Sequence, residues 1–183
     1  IPGLTLTING TYNLDETRST NVYNPYYGQF NTTGGTVEKS HTRMYDYNYQ
    51  QLLNYSTTIG GLNNIDVLLG HEYYNYAYYS LGASKSKMFS QTNKELSGAV
   101  IDGQGAYSSI SRNNNEGYFT RAQYNYDNRI FGSASFRRDA SSRFHPDYRW
   151  GNFWSLGSAW IISKESWFNA PWMDELKLKA SYG

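Results

Sequence analysis

Apolar and polar positions alternate with period two over seven stretches of the chain. Residues 4–12 place Leu4, Leu6 and Ile8 on one side and Thr5, Thr7 and Asn9 on the other, the pattern of a strand with one apolar face. In residues 41–55, Tyr45, Tyr47 and Tyr49 share a face against Asp46, Asn48 and Gln50, and residues 65–81 open with Ile65, Val67 and Leu69 in phase. Residues 117–126 and 129–138 flank Asp127-Asn128, a spacing that predicts a two-residue hairpin. In the first of this pair, Tyr118, Thr120, Ala122, Tyr124 and Tyr126 oppose Phe119, Arg121, Gln123 and Asn125. Residues 150–162 form a sixth strand, with Leu156, Trp160 and Ile162 in one phase. Residues 174–182 form a seventh, with Leu176, Leu178, Ala180 and Tyr182 against Lys177, Lys179 and Ser181. Residues 13–39 and 82–115 read as long loops, 56–64 as a turn around Gly60-Gly61, 139–149 as a polar loop, and 163–173 as a helical turn capped by Ser163.

Seven consecutive strands with no intervening long helix predict an all-β, antiparallel fold. Their connections alternate between short and long. Transmembrane barrels have tight turns on one side and long loops on the other, and strands of about ten residues match a tilted span. In hydrocarbon every backbone N–H and C=O must be paired inside the protein, which leaves only helices and closed barrels. The chain has no 18-residue apolar run for a helix. The polar faces point the same way: burying Arg121, Gln123, Asn125, Asp46, Lys177 and Lys179 in a dry core costs several kcal/mol each unless they are paired, whereas a wet lumen accepts them. Arg121, Gln123, Asn125, Lys177 and Lys179 are therefore expected to face the lumen, and Tyr12, Tyr55, Tyr124, Tyr126, Trp150 and Tyr182 to form an interfacial girdle. Seven strands fall short of the even-numbered closed barrels, which start at eight, and would leave open edges. Together with a first residue that is not Met and an end inside a strand, this predicts that residues 1–183 are part of a larger barrel, with no signal peptide in this chain.

Composition narrows the chemistry. Net charge is +1, from 16 Lys and Arg against 15 Asp and Glu, so there is no basic excess for nucleic acid. Without cysteine there is no disulfide framework, zinc–thiolate site or thiol nucleophile. Aromatic residues make up 17% and charged residues only 17%, which suits strands rather than disorder. His41, His71 and His145 are far apart and lie in no HExxH pattern, so no metal site is expected. Gly103-x-Gly105 lacks the third glycine of a nucleotide loop, and no pair of carboxylates stands out as acid and base, so neither a cofactor nor catalysis is expected. The cluster Arg137, Arg138, Asp139, Arg143, Asp147 and Arg149 reads as an anion or metal site, or, as surface charge clusters usually do, as an ion-pair network that orders a loop. Among the tyrosines of the long connections, Tyr23, Tyr26, Tyr27 and Tyr107 are candidates for substrate contact by stacking against sugar rings, against the alternative of girdle and loop packing.

The stretch from Gly117 to Gly183 carries a family pattern. It has a Tyr118-Phe119-x-Arg121 strand, Tyr124-x-Tyr126 before a tight turn, and the block Arg137-Arg138-Asp139-Ala140-Ser141-Ser142-Arg143-Phe144, in which Ala140 departs from the usual Gly. Arg149-Trp150-Gly151 then leads into an aromatic strand ending in Trp160. A final strand ends in Ser181-Tyr182-Gly183, with Lys179 where Arg is common. The chain thereby resembles the SusC/RagA family of TonB-linked outer-membrane transporters, and residues 65–81 resemble that family's preceding strand. The resemblance implies a segment of about a fifth of a family-length protein, a partial barrel without that family's plug domain. It also implies active import of glycan oligosaccharides or peptides across the outer membrane of a Gram-negative, Bacteroidetes-like cell. A SusD-like surface lipoprotein would act as lid, and TonB would act through a segment outside this chain. The loops 13–39 and 82–115 would lie outside the cell, touching substrate or lid. The competing reading is a secreted all-β carbohydrate-binding module, which predicts solubility without detergent and aromatics gathered on one concave face; a dry two-layer interior around Leu4, Leu6, Ile8, Leu176 and Leu178 would contradict the barrel.

Overall fold

A computed structural model describes residues 1–103 and 105–183; Gln104, within the stretch expected to be the second long loop, lies outside the described residues. Eight strands form one sheet: β1 (Leu4–Tyr23), β2 (Thr36–Ile59), β3 (Asn63–Met88), β4 (Ala99–Asp102), β5 (Tyr107–Tyr126), β6 (Ile130–Ser141), β7 (Trp150–Ile161) and β8 (Lys177–Tyr182). Neighbours along the main path run β1-β2-β3-β5-β6-β7-β8, and β4 pairs with β3. Every pairing with a recorded register is antiparallel. The expected seven strands are thus all present, and β4 adds a short eighth.

Several strands outrun their expected lengths, whereas β8, expected from residue 174, begins at Lys177 and leaves Leu176 outside it. β1 continues to Tyr23, β3 to Met88, and β5 begins at Tyr107, all inside stretches that the pattern assigns to loops. The extension of β1 is mostly polar on both sides, with Leu14, Val22 and Tyr23 the exceptions: Asn13, Asp15, Thr17 and Ser19 alternate with Leu14, Glu16, Arg18 and Thr20. Alternation shows only where one face is apolar, so strands wet on both faces read as loops. The true connections are residues 24–35 and 89–98, each carrying a short 3-10 turn (Asn31–Thr33 and Leu96–Gly98). The expected helical turn over 163–173 shrinks to the 3-10 turn Ile162–Lys164, in which Ser163 is an interior residue and no side chain caps the start. Glu165 is extended there (φ −77, ψ 141), because its carboxylate is held by Arg129 Nη1 at 2.8 Å and Trp160 Nε1 at 3.0 Å.

The chain divides into two units: residues 1–11, 48–74 and 114–183, and residues 12–47 and 75–113. In the second unit, Val37, Ala77 and Ala99 are buried. Tyr23 stacks on Phe30 with ring centroids 4.1 Å apart, and Gly34 and Gly35 turn with positive φ so that their carbonyls accept from Met88 N–H and Lys87 N–H. The first unit has no comparable core. Among the described residues its only buried apolar side chain is Ile161, while Leu6, Ile8 and Leu178 remain 62%, 69% and 61% exposed. The chain exposes 12797 Å², whereas a compact monomer of 21.0 kDa exposes about 9,000 Å², and two compact halves about 11,000 Å². The dry two-layer interior that a secreted module requires is absent among the described residues.

Candidate functional site

The site is a face rather than a pocket of converging catalytic groups, and the register defines it. Arg121 pairs with Ser135, Gln123 with Ser133 and Asn125 with Phe131. Those residues pair in turn with Ser155, Gly157 and Ala159, and the last two with Ser181 and Lys179. Paired residues point to the same side of a sheet, so one continuous polar face crosses β5 to β8. It gathers Arg121, Gln123, Asn125 and Lys179, and Lys177, which pairs with Ile161, joins it. The opposite face carries Tyr118, Thr120, Ala122, Tyr124 and Tyr126, then Phe136, Ala134 and Ile130, then Trp154, Leu156 and Trp160, then Tyr182, Ala180 and Leu178. Hydrogen bonds tie the polar face together. The Ser135 and Ser155 hydroxyls lie 2.7 Å apart. Asp66 accepts from Ser56 Oγ at 2.5 Å and Asn54 Nδ2 at 3.1 Å, and Asn9 Nδ2 donates to Gln50 Oε1 at 3.2 Å. A concavity of about 820 Å³ lies over this face, lined by Ser56, Asp66, Gln123, Asn125, Ser133 and Lys179 among others.

Towards the long-connection end, a packed device closes the polar face. A Cβ on Gly70 would fall 2.2 Å from the Phe119 ring, so the ring lies directly on the Gly70 backbone, a use of glycine where another group approaches closely. The Arg137 guanidinium stands over the same ring, 5.3 Å from its centroid. Its Nε donates to both Asp139 oxygens at 2.8 and 2.7 Å, and its Nη2 donates to Glu72. Gly117 leaves the room for this: a Cβ there would meet Asp139 Oδ1 at 2.6 Å. The device borders a second hollow of about 640 Å³ lined by Asn48, Glu72, Arg137, Phe144, Tyr148 and Arg149. Of the two readings of the arginine cluster, the ion-pair network is the one formed here, by Arg137 and Asp139 together with Glu72. Arg149 instead bonds the Phe144 carbonyl at 3.1 Å. Nothing in the order of residues links Glu72 to Arg137, 65 positions away; the only sequence signal is that both fall in the polar phase of their strands.

On the apolar face at the same level, rings follow one another across the strands. Tyr73 stacks with Tyr49 at 5.4 Å, Tyr49 meets His71 edge-on at 5.8 Å, and His71 stacks on Tyr118 at 4.6 Å. Tyr118 then stacks with Trp150 at 6.1 Å. His71 also contacts Gln51 Oε1 at 3.0 Å and Glu116 Oε1 at 3.2 Å. Of the residues expected in a girdle, Trp150 belongs to this belt, while His71, Tyr49, Tyr73 and Tyr118 are additions to it. Among the described residues there is no group of three or more His, Asp or Glu that could hold a metal ion.

The four candidate substrate tyrosines lie in the second unit but do not share one role. Tyr23 is engaged with Phe30 and donates to Glu38 at 3.4 Å. Tyr107 lies on Gly82, where a Cβ would meet its ring at 2.5 Å, and lines a small hollow beside Glu38 and Lys39. Tyr26 and Tyr27 stand 71% and 72% exposed. In this unit the Glu16 carboxyl is held below its usual range, first by Arg18 at 2.7 Å and then by His41 at 3.0 Å. The Tyr79 hydroxyl is lowered by its neighbour Tyr45 and by Arg112, which donates to it at 3.0 Å.

No protein-family model matches the chain. It is 29% identical over 186 residues to the TonB-dependent receptor SusC of Bacteroides thetaiotaomicron, a match covering 100% of this chain and 18% of that protein. It is 28% identical over 188 residues to the TonB-dependent receptor P39 of Formosa agariphila, again 18% of the relative's length. Among solved structures, the RagAB peptide transporter superposes with a TM-score of 0.82 at 25% identity, over 99% of this chain and 20% of that one. The RagAB peptide importer in its open-open state superposes with a TM-score of 0.78 at 26% identity. The chain therefore spans about a fifth of the length of the proteins it matches.

Proposed function

We propose that the chain is a barrel segment of the SusC/RagA family of TonB-linked outer-membrane transporters and forms part of the wall of a nutrient importer in the outer membrane. Its apolar face meets acyl chains. Its polar face lines the water-filled interior through Arg121, Gln123, Asn125, Lys177 and Lys179. The long connections, in which Tyr26 and Tyr27 are exposed, lie outside the cell towards substrate and a SusD-like lipoprotein lid. The cargo is an oligosaccharide or a peptide; the RagAB neighbours are peptide transporters, and TonB supplies the energy through a part of the protein outside this chain. One observation carries this reading: over four strands in register Arg121, Gln123, Asn125, Lys177 and Lys179 fall on one face and Trp154, Leu156, Trp160, Leu178 and Tyr182 on the other, and among the described residues nothing covers the second face.

The chain has no cysteine, so single cysteines placed in it report their own surroundings. With the full-length protein in outer membranes, Gln123→Cys and Ser133→Cys are expected to react with a membrane-impermeant maleimide once the interior is opened to it. Ala122→Cys and Leu156→Cys are expected to react only with a lipid-soluble one. Equal labelling of both pairs by the water-soluble reagent contradicts the proposal.

A further inference from the structure

From the level of Tyr118 to that of Tyr126, the apolar face of β5 to β8 holds one charged side chain among the described residues, Arg138. It pairs with Tyr118 on one side and Asn152 on the other, and its guanidinium stands over the Trp150 ring, 4.9 Å from the centroid. Its neighbour Arg137, on the opposite face, is forked between Asp139 and Glu72, whereas no carboxylate pairs with Arg138 among the described residues. Glu116, the nearest acid along that face, already accepts from Tyr118 at 2.7 Å and faces His71.

An unpaired cation facing hydrocarbon costs several kcal/mol, a cost that falls away as it reaches the headgroups. Arg138 stands at the ring belt. Tyr118 and Tyr126 are about 26 Å apart along the strand at ~3.3 Å per residue. A tilt of about 40° reduces this to about 20 Å, close to the ~25 Å apolar band of a barrel. The guanidinium is thus at headgroup depth, preorganised on an indole and supplied with a neighbouring amide, and its donors suit a phosphate in bidentate fashion. We infer that Arg138, seated on Trp150, binds the phosphate of an anionic lipid headgroup in the leaflet on the long-connection side. This rests on the reading of the chain as barrel wall.

The test uses the full-length protein in lipid nanodiscs of phosphatidylcholine with added phosphatidylglycerol, with retained lipid counted by native mass spectrometry. Arg138→Gln is expected to lower phosphatidylglycerol enrichment about fivefold, the scale of one basic residue at an anionic leaflet, while Arg121→Gln on the opposite face leaves it unchanged. Wild-type enrichment in Arg138→Gln overturns the inference, as does an equal loss in Arg121→Gln. Complete displacement of the lipid by inorganic phosphate overturns the choice of a lipid as occupant. The mobility shift on heating, which does not depend on Arg138, tests the barrel separately: a protein recovered without detergent and lacking that shift overturns the barrel reading and the inference with it.

Discussion

At the scale of single residues, two glycines decide how the polar face closes. Phe119 belongs to the polar phase of β5, where a bare phenyl ring is out of place in water. The Gly70 backbone gives it a floor and Arg137 a roof, so the ring is partly shielded from water without a second layer of sheet. Gly70→Ala places a methyl where the ring is, and the ring has Arg137 on its other side. Overpacking of this kind costs about 1–3 kcal/mol. The full-length Gly70→Ala protein is expected to lose its heat-resistant gel mobility at a lower temperature than the parent, and Gly70→Ala/Phe119→Leu to recover part of the loss, because residues in contact couple. An unchanged midpoint in the single variant removes Phe119 as the reason for that glycine. Neither partner was legible beforehand. A glycine inside a strand signals a close approach but does not say what approaches, and Glu72, Arg137 and Asp139 meet through pairing across three strands that no local spacing encodes.

At the scale of elements, the hairpin between β5 and β6 was legible from two residues, although its length was not. Asp127 and Asn128 take φ of 49 and 52, the left-handed conformation that primed turns need and that Asn and Asp tolerate. Arg129 N–H donates to Tyr126 C=O at 2.9 Å. The connection nevertheless holds three residues, since Tyr126 pairs with Ile130 and the Arg129 carbonyl accepts from Ile161 N–H at 2.8 Å. Asn128 is locked by its own side chain, whose Oδ1 accepts from Asn125 Nδ2 at 2.7 Å. Asn128→Val is expected to destabilise the hairpin by about 1–2 kcal/mol, the cost of a left-handed non-glycine residue, and Asn128→Gly to stay close to the parent; chemical denaturation of the refolded full-length protein in detergent reads both. The apolar-faced strands were legible for the same reason as this turn, that each residue type has one environment in which it is at ease, although β8 begins at Lys177 and leaves Leu176 in the preceding connection. The extensions of β1, β3 and β5 were not, because water on both sides of a strand erases the contrast that marks it. The polar-face assignments of Arg121, Gln123, Asn125, Lys177 and Lys179 followed from alternation, and the register places them on one side. Tyr23 and Tyr107 were singled out as loop aromatics, and their packing on Phe30 and Gly82 depended on contacts that composition does not reveal.

At the scale of the whole molecule, the balance of forces is inverted relative to a soluble domain. Folding must offset about 1–2 kcal/mol of backbone entropy for each ordered residue, and a soluble chain of this length does so by removing apolar side chains from water. Here, among the described residues, four apolar side chains are buried while Trp154, Leu156, Leu178, Ile8 and Leu6 stay exposed on one face. The ladder hydrogen bonds cannot make up the difference, because their net contribution over water is small. The sheet path also ends at β1 and β8, two edges that invite pairing with other chains. Residues 1–183 produced alone are therefore expected to aggregate in plain buffer and to show no cooperative thermal transition by circular dichroism. A detergent or lipid bilayer is expected to restore strand content without restoring a single sharp melt, since it covers the apolar face but leaves both edges open. A monomer that melts cooperatively in detergent-free buffer requires that something within these residues covers the apolar face, and the placement of Leu6, Ile8 and Leu178 against acyl chains then falls.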